Sequence, residues 1–466
     1  MISIPPEGLK TSAPHLLYML SLSTPVIGLA VLLVGVQVVY SALDMLNISY
    51  GAAAVRDADT WIRDGLNISD PERILAYQRS TTILSRIQSW VGLAILLAIV
   101  VTGIYTDLTR ALTQTGLTPS IQGVLLIAGA VAGSRFLSAP FDLYKTFVIE
   151  DRFGFNNQTV MLWLRDWIIG LMIGLIAATL IGGTVLWVIE AVPSLWPVLG
   201  WLIVIGVSLA TMVIYPRVIA PLFNDFEPIE SGALRDAVED VFSRAGFDCE
   251  QIYEMDASRR SSHSNAYFIG FGRAKRVVLF DTLIEQMSTN SIQAVLAHEL
   301  AHWKKAHIWK QLVASTIQMG AVFAFLWWIT NSEWVYTAFD LPSVTYAALG
   351  IGLLYAGPVL GLLSPVTNRL SLSHEREADD FAAETMGGPA AMTQALQTLA
   401  GENLQNPFPH PAYAAFHMTH PPIPTRIRRL REQYGDDNIN DGLLDGDDSS
   451  AETDGDADDD PATPAA

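Results

Sequence analysis

Cysteine is almost absent from this 466-residue chain, which contains only Cys249. No intrachain disulfide and no thiolate metal site can form, and the single thiol reads as a small buried apolar side chain. Lysine is nearly as scarce: six lysines stand against 22 arginines, while Asp and Glu total 47 and the net charge is −19. No basic stripe exists for a nucleic-acid backbone to lie on, which excludes DNA and RNA as partners. The acidity is uneven. Residues 435–466 hold twelve Asp or Glu and no Lys or Arg, leaving −7 for the rest of the chain. This tail, ending "DGDADDDPATPAA", is too charged to bury a core and is expected to be disordered.

Charge is also sparse in seven long stretches. Half the residues are hydrophobic and the mean hydropathy is +0.31. The apolar runs fall at roughly 15–43, 89–107, 120–144, 167–190, 196–223, 309–331 and 346–370. Each is long enough for a transmembrane helix, and the first is too long and wrongly flanked for a cleaved signal peptide. The loop 44–88 carries Arg56, Arg63, Arg73, Arg79 and Arg86, and the loop 145–166 carries Lys145, Arg152 and Arg165. The alternate loops hold only Arg110, or no basic residue at all. By the positive-inside rule the N-terminus is expected outside, with both large hydrophilic segments in the cytoplasm of a multi-pass cell-membrane protein. The glycosylation-type triplets at Asn47, Asn67 and Asn157 fall on the inner side and read as chance. Arg135 is expected within the third span, facing an aqueous chamber or pairing with a carboxylate of another span.

The expected organisation is five spans over 1–223, a soluble segment 224–308, two spans over 309–370, a second soluble segment 371–434 and the acidic tail 435–466. In the first soluble segment, "SGALRDAVEDVFSRAGF" has helical spacing, with Leu234, Val238, Val241 and Phe242 on one face. "CEQIYEMDAS", "SNAYFIGFG" and "RVVLFDTLI" read as short strands, the middle one ending in glycines that suit a hairpin. A helix capped by Thr289, Asn290 or Ser291 follows. In the second segment, "SLSHEREADDFAAETM" reads as a helix stopped by Gly387 and Gly388.

The first of these two helices carries "AVLAHELAHWKKAHIW". Residues four apart share a helical face, so His298 and His302 can present ring nitrogens to one metal ion. Glu299 projects about 100° away, where it can act on a water without ligating the metal. A catalytic zinc needs a third protein ligand. Lys305 and Ile308 occupy the positions where a metzincin carries Gly and His, which excludes that class. Glu375 and Asp379 of "HEREADD" are four apart, so one can ligate while the other orients a ligand histidine. His307, five residues after His302, should point elsewhere and reads as a surface histidine.

Together with "VIEDRFGFNNQT" (148–159), "VIAPLFNDFEPIESGAL" (218–234), "SRRSSHSNAYFIGFGRAKRVVLFDTL" (258–283) and "THPPIPTRI" (419–427), these motifs make the chain resemble the Ste24-type membrane zinc metalloproteases of family M48, the type I CAAX prenyl proteases. The resemblance covers nearly everything but the acidic tail. It implies a mainly α membrane protein, seven transmembrane helices enclosing a chamber, with a gluzincin-like α+β metallopeptidase domain on the cytoplasmic side. It implies one Zn2+ on His298, His302 and Glu375, with Glu299 as base. It places Asp379 behind a ligand, His420 at the oxyanion, and Asn265, Ala266 and Arg426 near the substrate. The substrate would be a peptide or protein, lipidated in the family's named role. Two rival readings are a general quality-control protease acting on unprenylated chains and a non-proteolytic zinc-binding membrane protein.

Overall fold

The computed structural model describes residues 22–57, 66, 70–247, 251–269 and 276–435. Cys249, Asn67, the glycine turn after Ile269 and the acidic tail lie outside the described residues.

Five long apolar helices come first: α1 (Thr24–Asp57), α2 (Pro71–Val101), α3 (Pro119–Tyr144), α4 (Val160–Ala177) and α5 (Trp196–Ile214). Proline in the first turn of α2, α3 and α5 suits backbone N–H groups that have no partner there. Asp70 caps α2 by accepting from the Arg73 amide, and Thr159 caps α4 in the same way. Apolar side chains such as Ile176 and Leu180 point outward, as they do on helices bathed in hydrocarbon. Small residues let neighbouring helices approach: a Cβ at Gly123 would come within 2.6 Å of Leu186. Arg135 does not form the carboxylate pair that was one expectation for it. Among the described residues its guanidinium lies over the Trp167 ring, 5.7 Å from the centroid, in the notch left by Gly170.

The soluble segment builds a four-stranded sheet from β1 (Phe226–Pro228), β2 (Ile252–Met255), β3 (Ala266–Ile269) and β4 (Arg276–Phe280), in the order β1-β2-β4-β3. β1 and β2 pair antiparallel, β2 and β4 parallel, and β3 and β4 antiparallel, with Tyr253 and Tyr267 flanking Val278. β1 is a strand that the sequence did not suggest. "RVVLFDTLI" is strand only to Phe280, after which Asp281–Gln286 is a short helix. Between β1 and β2 runs α6 (Ala233–Arg244), which buries Val238, Val241 and Phe242. After the sheet comes α7 (Thr289–Lys304), capped one residue earlier than expected, by Ser288 accepting from the Ser291 amide.

The chain re-enters the apolar layer as α8 (His307–Thr330) and α9 (Thr345–Leu362), so seven helices among the described residues are long and apolar enough to cross a membrane. α10 (Ser364–Met386), α11 (Ala390–Glu402) and α12 (Ile423–Tyr434) complete the catalytic part. α10 ends at Gly387, whose φ of 74° is the left-handed conformation that glycine accepts most readily. One core joins Val241, Ile252, Leu279, Leu296, Ala382, Leu396 and Ile427 to Ile74, Tyr77, Ile149 and Phe153. The N-terminal part of α2 and the segment after α3 are therefore part of the core of the soluble segments. This explains why α2 begins at Pro71 rather than near 89. Loop 156–157 reinforces the seam: Asn156 pairs with Ser261, and Asn157 donates to the Ser258 carbonyl at 2.9 Å.

Candidate metal centre

α7 and α10 pack closely because alanines line their contact. Ala294, Ala297 and Ala301 on one helix and Ala378, Ala382 and Ala383 on the other are fully buried. This brings the i, i+4 pair His298 and His302 against Glu375. His298 Nε2 lies 3.2 Å from Glu375 Oε2, and His302 Nε2 lies 3.4 Å from Oε1. The two Nε2 atoms are 3.4 Å apart. The three donor groups lie within 4.8 Å of one another and form the one such His/Cys/Asp/Glu group among the described residues.

Asp379, one turn beyond Glu375, has no exposed surface. Its Oδ1 lies 3.0 Å from His298 Nδ1. A carboxylate only accepts, so His298 donates through Nδ1 and turns Nε2 toward the cluster. Arg426 is corrected here. Expected near the substrate, it is 8 % exposed and clamps Asp379 instead, donating from Nη2 to Oδ1 at 2.6 Å and from Nε to Oδ2 at 2.9 Å. The reason is helical register on α12, where Arg426 lies on the inward face with Ile423, Ile427 and Leu430. Burial alone would raise Asp379, but its bonds to His298 and Arg426 hold it down at about 2. Burial likewise opposes charge on His298, yet the neighbouring carboxylates of Asp379 and Glu375 outweigh it and push its pKa up to about 9. His302 has no such carboxylate behind it, and burial beside His298 pushes it down to about 4. Glu375 is held well below the usual carboxylate range, the neighbouring imidazoles of His298 and His420 overriding its burial.

Glu299 is half-buried, and its carboxylate makes no hydrogen bond or ion pair among the described residues. Burial, reinforced by Glu375, raises its pKa, against opposing pulls from His298, His420 and Arg426. A carboxyl group shifted toward neutrality is suited to taking and returning a proton. His420, on the exposed turn before α12, reaches Glu375 with Nδ1 2.6 Å from Oε2. Asn265 is exposed at the start of β3, where its Oδ1 accepts from the Ala266 amide at 2.9 Å. Ala266 is buried and pairs with Leu279; among the described residues β3 pairs with β4 alone, so its outer edge is open.

His307 is the second correction. It is 1 % exposed, not a surface residue. Ala306 takes a left-handed φ of 57° between α7 and α8, and this break swings the next side chain back under His302. A periodicity count assumes an unbroken helix and cannot foresee that turn.

Two imidazole nitrogens and a carboxylate are a donor set suited to zinc. The local geometry fits a metal better than a hydrogen-bond network. Glu375 Oε2 is buried without a well-angled hydrogen bond, although two imidazole nitrogens stand near it. Two Nε2 atoms facing each other at 3.4 Å can share at most one proton between them.

Comparison with known proteins agrees. A family model described as the CAAX prenyl protease N-terminal, five membrane helices, matches residues 62–225, and that of peptidase family M48 matches 228–434. A rice (Oryza sativa) protein named CAAX prenyl protease 1 homolog is 37 % identical over 66 % of this chain and 72 % of its own length. CAAX prenyl protease 1 of Saccharomyces cerevisiae is 34 % identical over 64 % of this chain and 69 % of its own. The crystal structure of S. mikatae Ste24p superposes with a TM-score of 0.73 at 27 % identity, covering 85 % of this chain and 98 % of that one. Its seven apolar helices, its metal-ligand geometry and these relatives together place the chain in the Ste24-type membrane proteases of peptidase family M48.

Proposed function

We propose that this membrane protease uses one zinc ion, held by His298, His302 and Glu375, to cut peptide bonds near the C-terminus of lipidated proteins. The observation that carries the reading is the pairing of that donor set with an unbonded, half-buried Glu299. Zinc held there would supply Lewis-acid polarisation of the scissile carbonyl and would acidify the attacking water. Glu299 then takes the water's proton and delivers it to the leaving amine. His420 is exposed enough to turn from Glu375 toward the developing oxyanion and hydrogen-bond it. The open edge of β3 at Asn265 and Ala266 supports pairing with an extended substrate backbone. The names of the relatives support a CAAX-type substrate. The arginine-rich loops support catalytic segments and a C-terminus in the cytoplasm, with the N-terminus outside.

The test is Glu299→Gln. It preserves size and removes the basic carboxylate, and Glu299 is not a ligand. Zinc content should stay at one per chain while cleavage of a farnesylated peptide falls by about 10²–10⁴-fold. Full cleavage with zinc retained would show that Glu299 is not the base. Cleavage of unprenylated peptides at the same kcat/KM would replace the lipidated substrate class with a general one.

A further inference from the structure

His307 takes no part in the steps above, yet it is among the most buried polar residues of the protein. Its ring lies flat on His374, with centroids 4.1 Å apart and planes 8° from parallel. Its two nitrogens each face one polar group. Nε2 is 3.2 Å from Glu377 Oε2, and Nδ1 is 3.2 Å from Nδ1 of His302. The protons follow from that geometry. The Glu377 carboxylate can only accept, so the His307 proton sits on Nε2 and the Nδ1 lone pair is free. Two Nδ1 atoms at 3.2 Å attract only if one donates, and the donor is then His302. A His302 protonated on Nδ1 holds its lone pair on Nε2, the atom facing Glu375 and His298.

We propose that His307 and Glu377 are positioning residues that fix the metal-ready tautomer of His302, as Asp379 does for His298. The inference rests on the zinc reading of the site. The two histidine ligands would then be oriented by separate sets of residues. Asp379 and Arg426 serve His298, while Glu377 and His307 serve His302. The left-handed turn at Ala306 is what brings His307 into reach, and backbone strain of that kind gathers at functional sites.

The experiment compares His307→Phe, Glu377→Ala and Glu377→Gln with the full-length wild type in detergent. Zinc affinity is measured by chelator competition, and the tautomer of His302 by nitrogen-15 NMR of the histidine-labelled apoprotein. His307→Phe keeps a ring against His374 and deletes the acceptor, so zinc should bind about 10–100-fold more weakly. Glu377 is substantially exposed, so its replacement by Ala spares the fold; it should loosen zinc less than His307→Phe and give His302 a mixture of tautomers. Glu377→Gln retains an acceptor oxygen and should restore the wild-type tautomer. Wild-type zinc affinity in His307→Phe, or a His302 protonated on Nε2 in the wild type, would overturn the proposal. If His307→Phe does not fold, an unchanged affinity and tautomer in Glu377→Ala would overturn it equally. A wild type that takes up no zinc would instead sink the metal-centre reading underneath.

Discussion

Arg426→Leu separates a structural clamp from a substrate contact. In the wild type the guanidinium lies 2.6 and 2.9 Å from the two oxygens of a carboxylate with no exposed surface. At 2.6 Å and an effective dielectric of ~20, the gross attraction is about 6 kcal/mol. Much of that is offset by desolvation, and removing one partner of a buried pair typically costs about 3–5 kcal/mol. Arg429 moderates the loss, since its Nη2 is 3.8 Å from Asp379 and can close in, which favours the lower end, about 3 kcal/mol. Chemical unfolding should be followed in detergent with a chelator present, so that metal binding does not add to the measured stability. Asp379→Asn in the same chain should recover most of the loss, because a neutral amide leaves no unpaired buried charge. The reasoning is refuted if Arg426→Leu unfolds like the wild type while KM for a peptide rises several-fold. That pattern would return Arg426 to the substrate.

Further outcomes follow from the same geometry. Glu375→Ala should lose its zinc on dialysis, whereas Glu377→Ala should remain loaded when zinc is supplied in excess; equal retention by both would remove Glu375 from the ligand set. Ala306→Gly relieves a left-handed alanine worth about 1–2 kcal/mol but adds freedom to the unfolded chain, so the variant should match or exceed wild-type stability by up to ~1 kcal/mol. Ala306→Val should be clearly less stable, and equal stability of the Gly and Val variants would contradict the strained turn. For orientation, in a Cys249→Ser background, an impermeant thiol reagent applied to intact cells should reach Glu333→Cys and not Glu432→Cys. Labelling of the second alone would invert the topology.

The parts of this fold that were legible in sequence are those where one local rule acts alone. Charge-free runs of about twenty residues leave little alternative to membrane spans, and seven were found where seven are seen. The i, i+4 spacings of His298 with His302 and of Glu375 with Asp379 carried over because both helices run unbroken through those pairs. Legibility failed where tertiary packing overrode local pattern. The start of α2 carries Arg73, Arg79 and Arg86 and looks like a loop to a hydropathy window. It is helical because Ile74 and Tyr77 are anchored in the catalytic core. β1 is three residues long and ends in Pro228, tolerable only because it is an edge strand.

The site divides in the same way, and the division says something about how it works. Its metal-facing donors sit on regular helices, where spacing alone aims them. Two of the groups behind those donors arrive by routes that no periodicity records. Arg426 comes from a third helix some fifty residues downstream, and His307 from beyond a turn that carries neither Gly nor Pro to mark it. The resemblance alone puts Arg426 near the substrate, and an unbroken helical count alone puts His307 at the surface. Each is instead buried against a polar partner: the Asp379 carboxylate accepts from Arg426, and the His307 Nδ1 lone pair faces the His302 Nδ1. The proposed ligands are thus aimed by helix geometry, while on the reading above their orientation and tautomers depend on long-range packing. A substitution outside the proposed ligand set, at 306, 307 or 426, should therefore alter zinc affinity or stability before it alters the reacting groups.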